Sequence, residues 1–380
     1  MIASAKRLET VQEYYFSKKL REVRQLIADG KPIINMGIGS PDLNPPQKVI
    51  DAIQESMTDL GAHKYQSYQG LPGLRQAIAH FYNQKYSVEA NPVDEILPLM
   101  GSKEGIMHIS MAFLNEGDAV LVPNPGYPTY TSVTKLVGAA PIFYDLTAAT
   151  QWQPDFDSLE NMDLSKVKIM WVNYPHMPTG AKALEDTFDK LIAFGKRHNI
   201  LIINDNPYSF ILNDNPASIL SAEGAKETAL ELNSLSKTFN MAGWRVGMVL
   251  GDARYINEIL KVKSNMDSGM FYGIQKGAME ALRIQNDWFE SQNEVYQQRK
   301  KQILELASLL DCEPIDDAVG MFIWAKVPEG KTCTELTDQI LYEKDIFITP
   351  GTVFGSQGEG YIRFSLCVPE EKIVEAINRF

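Results

Sequence analysis

The sequence predicts an α/β protein, with a large, mostly parallel sheet covered by helices and a smaller α+β domain built from both termini. Three observations carry that prediction. From about residue 95 to 250, short apolar runs alternate with longer amphipathic stretches, the pattern of a parallel sheet whose strands are buried on both faces. A long, polar, helix-prone segment follows, from about 280 to 310. Beyond it the chain has strand signals of its own, in Met321–Lys326 and Tyr361–Leu366.

The elements follow in order. "INMGIGSPDLNPP", residues 34 to 46, reads as a strand and then a loop punctuated by Gly and Pro. Lys103–Leu114 and Phe188–His198 have the spacing of helices. The expected strands are Ala119–Val122, Val167–Val172, Ile200–Ile203, Ala229–Leu232 and Val246–Leu250. Residues 46–280 form the expected large, cofactor-binding domain, and residues 1–45 with 281–380 the small one. A chain of 380 residues suits two domains, at roughly 100–200 residues each.

Composition excludes several functions. The net charge of -12 argues against a nucleic-acid surface, which needs clustered Lys and Arg. The short basic runs Lys18-Lys19 and Arg299-Lys300-Lys301 are expected on solvated helix faces. "MIASAKRLETVQEYYF" has no apolar core of a signal peptide, and no apolar stretch is long enough to cross a bilayer. Cys312, Cys333 and Cys367 form no CxxC pair, so a reduced, cytoplasmic protein with structural thiols is expected. The five histidines are scattered without ligand spacing, so no metal is expected. "GIGSPD", 37 to 42, lacks the last glycine of a dinucleotide-binding loop.

In such sheets ligands bind beyond the carboxyl ends of the strands. Asn173 follows one apolar run; Asn204, Asp205 and Tyr208 follow the next; Ser234, Ser236 and Lys237 follow a third. A loop lysine is ordinarily just solvated. In "NSLSKTFNMAGWRVG", 233 to 247, Lys237 stands instead among residues that suit pyridoxal 5'-phosphate. A lysine binds that cofactor's carbonyl as a Schiff base. Ser234 and Arg245 bracket Lys237 and suit the phosphate, as does the helix start in "GSKEG", 101 to 105. Asp205, after a buried-looking strand, is costly unless paired, and a pyridinium N–H would pair it. Its ordinary alternative is a turn residue.

Four blocks together resemble the class I/II pyridoxal-phosphate aminotransferases. They are "SLSKTFNMAGWRVG", "NDNPYSF", "KYQSYQGLPGLRQAIA" (64 to 79) and "GYIRFSL" (360 to 366), in that family's order and spacing over nearly the whole chain. The resemblance implies a fold-type I enzyme with a seven-stranded type of sheet, acting as a homodimer with a shared active site. It implies that Lys237 holds the cofactor and moves the substrate Cα proton, that Asp205 pairs with the ring nitrogen, and that Tyr208 meets the ring oxygen. Ser234, Arg245, Ser102 and Lys103 would hold the phosphate, and Tyr127 would stack on the ring. Tyr65 would reach the partner's phosphate. Arg363 would clamp the substrate carboxylate as a bidentate pair, with Gly39 and Asn173 beside it, and Asn173 would also contact the cofactor.

One departure stands out. "NYPHMPTG", 173 to 180, places Met177 where the family has the Asn that bonds the ring oxygen. Thioether sulfur is a poor acceptor and no donor, so Tyr208 would carry more of that contact. The nearest likeness is to the LL-diaminopimelate branch, through "GSKEGI", "LVPNPGYPTY" and "KVKSNMDSG". The branch also resembles enzymes acting on aromatic amino acids, and 2-oxoglutarate is one expected acceptor. "EYYF", 13 to 16, is either an apolar lid wall or packing for the small domain. The alternative activity is a carbon–sulfur β-lyase, which shares these motifs.

Overall fold

The computed structural model describes residues 2–11, 13 and 15–380. The chain forms strands β1 Ile34–Asn35, β2 Ile96–Leu99, β3 Ala119–Asn124, β4 Ala140–Asp145, β5 Val167–Val172, β6 Leu201–Asp205, β7 Ala229–Ser234 and β8 Gly247–Gly251. The last seven make one sheet in the order β2-β8-β7-β6-β5-β3-β4. Only β8 runs against the rest, pairing antiparallel with β2 and β7.

Alternation along each strand explains why this sheet is buried on both sides. Ile169 and Trp171 of β5 pack with Ile203, Leu230 and Val249 against Ile106 and Ile109 of the helix Ser102–Phe113. Met170 and Val172 point the other way, toward Leu191 and Phe194 of the helix Thr187–His198. Burying a side chain of this size contributes about 1.5–3 kcal/mol.

The expected strands are present, with ends shifted by a residue or two. Two more were not anticipated: β2 contains Pro98 and β4 contains Pro141. Proline lacks an amide donor and is tolerated where one side of a strand has no partner. Both strands lie at the sheet's edges.

A second sheet comes from β9 Glu313–Pro314, β10 Phe322–Lys326, β12 Thr349–Pro350 and β13 Tyr361–Ser365, in the order β12-β13-β10-β9. Between them β11, Ile346–Phe347, pairs parallel with β1. The long helix Asn286–Leu309 precedes this sheet. One expectation about that helix needs correction. Its basic run is not simply solvated: Arg299 is buried and paired with Asp42, and Lys300 donates to the Ala318 carbonyl at 2.7 Å. In the first run Lys18 is exposed, but Lys19 is partly buried between Glu22 and Asp338. Lysine and arginine stems cover apolar surface while their heads find acceptors.

No helix among the described residues is long and apolar enough to cross a membrane. Cys312, Cys333 and Cys367 are buried free thiols.

Candidate active site

Strand register brings the polar residues to one edge. Leu99 of β2 faces Gly247 of β8, which faces Ser234 of β7. The Gly101–Ser102 turn, the Arg245 turn and the Ser234–Lys237 turn therefore meet. Asp205 ends β6 opposite Leu232, and Asn173 directly follows β5. These turns surround a cavity of about 360 Å³.

At one end the helix Ser102–Phe113 points its first-turn N–H groups at the cavity, where they have no intrahelical acceptors. Gly101 has φ +91°, and a Cβ there would lie 2.1 Å from the Arg245 guanidinium, so only glycine lets the two approach. Ser234 Oγ donates to Ser236 Oγ at 2.8 Å, and Arg245 Nη1 reaches Ser236 Oγ at 3.3 Å. Lys103 also lines the cavity, and its ammonium is shifted down by burial and by Arg245. Two helix-start amides, hydroxyls and a guanidinium make a cradle for a phosphate.

In the middle lies Asp205, 4% exposed. Its Oδ2 accepts from Tyr130 Oη at 2.9 Å, while Oδ1 is buried with no hydrogen-bond partner. Burial pushes its carboxyl up to about 7, against the Tyr130 hydrogen bond that lowers it; buried Glu231 adds to the rise. Tyr130 stacks on Trp171 at 4.9 Å, which fixes the hydroxyl. Tyr127 lines the cavity edge-on to Tyr130. Tyr208 packs edge-on against Phe322. Asn173 lines the cavity, but its amide is committed, donating to the Asp205 carbonyl and accepting from Met177 N.

Lys237 Nζ donates to the Gly39 carbonyl. Its packing within the protein, helped by Arg363 and Arg245 and opposed by Cys367, brings the ammonium down to about 8. Arg363, 3% exposed, donates to the Gly37 carbonyl at 2.7 Å, and its Nη1 lies 3.4 Å from Met177 Sδ. Its guanidinium sits 3.9 Å from the Phe322 ring centre, 4.6 Å from Phe354 and 5.6 Å from Phe16. Gly39 lies so close to Phe322 that a Cβ would come within 2.2 Å of its ring.

All the expected site residues but one thus meet in this cavity. Tyr65 does not line it; its side chain is 90% exposed. Of "EYYF", Phe16 lines the cavity and Tyr15 packs edge-on against Phe16, while Tyr14 lies outside the described residues. Sequence reasoning missed Tyr130 and the aromatic cage of Arg363, and it gave Ser236 a place at the site but no role. A second tyrosine three residues after Tyr127 in "GYPTY" was the available signal for Tyr130. Glu104, His108 and Asp267 also bring ligand-type atoms within 4.8 Å of one another. Buried Lys263 already pairs with Asp267 at 2.7 Å, which offsets the charge a cation would need.

An orphaned buried carboxylate oxygen, a phosphate cradle and a lysine of lowered basicity fit pyridoxal phosphate, and with this sheet they define a fold-type I enzyme of that cofactor. The chain belongs to the family described as aminotransferase class I and II, whose model matches residues 31–380. It is 40% identical over 377 residues to the LL-diaminopimelate aminotransferase of Dehalococcoides mccartyi, covering 99% of this chain and 97% of that one. It resembles the apo-BacF structure from Bacillus subtilis with a TM-score of 0.95 and 34% identity, covering 100% and 98% of the two chains. For the aromatic aminotransferase from Pyrococcus horikoshii the TM-score is 0.86 and the identity 29%, over 95% and 97%. The protein is thus a pyridoxal-phosphate-dependent aminotransferase acting on amino and 2-oxo acids. The lyase alternative is not favoured.

Proposed function

We propose that the protein takes the amino group of an aromatic or comparably large apolar L-amino acid and passes it to a 2-oxo acid. The observation that carries this choice is the wall beside Arg363. Phe16, Phe322 and Phe354 flank Arg363, and Leu20 and Ile38 line the same cavity. Among the described residues of this cavity the other cations are Lys103, Lys237 and Arg245, and Lys103 and Arg245 lie at the phosphate end. A distal carboxylate or ammonium would be desolvated against carbon there, which is unfavourable.

Pyridoxal phosphate, when bound, supplies an electron sink for charge developing at the substrate Cα. Ser234, Ser236, Arg245, Lys103 and the backbone of Ser102 would hold its phosphate; Tyr127 would face its ring. Asp205 Oδ1 would accept the ring N–H, with Tyr130 keeping Oδ2 occupied. Tyr208 would donate to the ring oxygen. Lys237, once it leaves the Gly39 carbonyl, holds and moves the Cα proton. An amine of lowered basicity suits that task near neutral pH. Arg363 orients the substrate carboxylate, with its cation secured by three aromatic faces.

We also propose the division into residues 46–280 and residues 1–45 with 281–380. The separate sheets support it, as does the pairing of β1 with β11. A homodimer with a shared site is supported by the exposed Tyr65 ring, free to reach a second copy. A cytoplasmic location is supported by three free thiols.

The names of the 38–40% identical relatives favour a second donor, LL-diaminopimelate. Comparing kcat/KM decides. Apolar contacts discriminate by about 10- to 200-fold, so phenylalanine or tyrosine should exceed LL-diaminopimelate by about 10-fold or more. A preference for LL-diaminopimelate overturns the proposal. Running each donor with phenylpyruvate and 2-oxoglutarate identifies the acceptor.

A further inference from the structure

We propose that Arg299 is a positioning residue that fixes both sides of the substrate-carboxylate site with one guanidinium. The inference rests on the reading that Arg363 and the Gly37–Gly39 segment receive that carboxylate. Arg299 lies in the helix Asn286–Leu309 and is 4% exposed. Its Nη1 and Nη2 donate to the two oxygens of Asp42 at 2.7 and 2.9 Å, and Nη1 also donates to the Leu366 carbonyl at 3.0 Å. Asp42 is three residues beyond Gly39. Leu366 is three residues beyond Arg363.

The two segments held this way form the site. Ser365 N donates to the Met36 carbonyl at 2.8 Å, and Thr349 Oγ1 to the Gly37 carbonyl at 2.8 Å. Arg363 and Lys237 donate to the carbonyls of Gly37 and Gly39. Those two donors are the groups that must turn to the ligands. The segment therefore loses two of its contacts when the site fills. Ser365 on Met36 and Thr349 on Gly37 persist at its start; beyond Gly39 the contacts that persist are Asp42 on Arg299, and the Asn44 carbonyl on Asn240 at 3.2 Å, itself bonded to Gln292 of the same helix. The planar fork of arginine meets a carboxylate bidentately and a carbonyl together; lysine offers one point charge. Misplacement of a binding group by about 1 Å can lower activity about 100-fold.

The test uses the holoenzyme and two unreactive or poorly reactive probes. One is α-methylphenylalanine, which has the carboxylate; the other is 2-phenylethylamine, which lacks it. Binding is read from the cofactor's absorbance. Asp42→Asn and Arg299→Lys should each weaken α-methylphenylalanine about 10-fold, leave 2-phenylethylamine and cofactor affinity within about twofold, and combine non-additively. Equal weakening of both probes, or a lowered melting temperature with both affinities unchanged, overturns the proposal. Asp42, with a side chain 24% exposed, supplies the answer if the arginine variant fails to fold. Arg363→Lys is the control. If it does not weaken the carboxylated probe selectively, the reading of Arg363 fails instead.

Discussion

Replacing Tyr130 by Phe removes one hydroxyl and keeps the ring that stacks on Trp171. The lost hydrogen bond runs 2.9 Å to Asp205 Oδ2, in a place where neither residue is more than 4% exposed. Hydrogen bonds to charged groups are worth ~1.5–3 kcal/mol. At 1.36 kcal/mol per pH unit, the loss raises the Asp205 carboxyl by about 1 to 2 pH units from its place near 7. Most of the apoprotein would then carry a neutral Asp205 at pH 7, and the cofactor's ring nitrogen would lose its counter-charge. The dissociation constant of pyridoxal phosphate should rise about 10- to 100-fold at pH 7. The defect should shrink as the pH rises, because alkaline solution restores the carboxylate in both proteins. Equilibrium binding across pH 6 to 9, with carbon-13 NMR of labelled aspartate in the apoprotein, measures both effects. An affinity and a titration each unchanged by the substitution would refute the role given to Tyr130.

The apoprotein should capture pyridoxal phosphate faster as the pH rises, with a midpoint near 8, because the Lys237 ammonium is held at about 8 and only the neutral amine attacks. A rate still climbing as for an ordinary lysine, about 10.4, contradicts that environment. Met177→Asn restores a donor to the ring oxygen beside Arg363 and should shift the cofactor's visible titration down by about 1 pH unit. No change, or a rise, refutes the idea. In Gly39→Ala the new methyl would meet Phe322 at 2.2 Å. Overpacking of ~1–3 kcal/mol should raise KM for the amino acid about 10-fold while the cofactor stays bound; an unchanged KM counts against the approach of Gly39 to the substrate.

Much of the site was legible because chemistry and topology coincide in the sequence. Asp205, Ser234 and Lys237 each follow an apolar run, and a parallel sheet carries such residues to one edge. Arg245 was legible from its spacing to Lys237, although the reversed strand β8 is what brings it back to that edge. What was not legible depends on contacts between distant segments. Nothing in the spacing tells that Tyr130 bonds Asp205, 75 positions away, or that Arg299 bonds Asp42, 257 positions away. Phe322 reaches Arg363 only when β10 pairs with β13, and Phe354 only when β12 pairs with β13 at Thr349 and Arg363. Pro98 and Pro141 hid two strands whose place at the sheet's edges makes proline harmless. The basic run at Arg299 misled for a related reason: surface composition does not say which face of a 24-residue helix is covered.

The measurement that tests the central claim most directly is the absorbance spectrum of the protein with pyridoxal phosphate as single amino acids are added. Phenylalanine or tyrosine should convert the bound pyridoxal band to the pyridoxamine band, with one equivalent of the matching 2-oxo acid released. LL-diaminopimelate, aspartate and alanine should do so more slowly. If no band forms with pyridoxal phosphate alone, the role of Lys237 is wrong. If the band persists while pyruvate and ammonia accumulate, elimination rather than amino transfer is the reaction, and the account is contradicted.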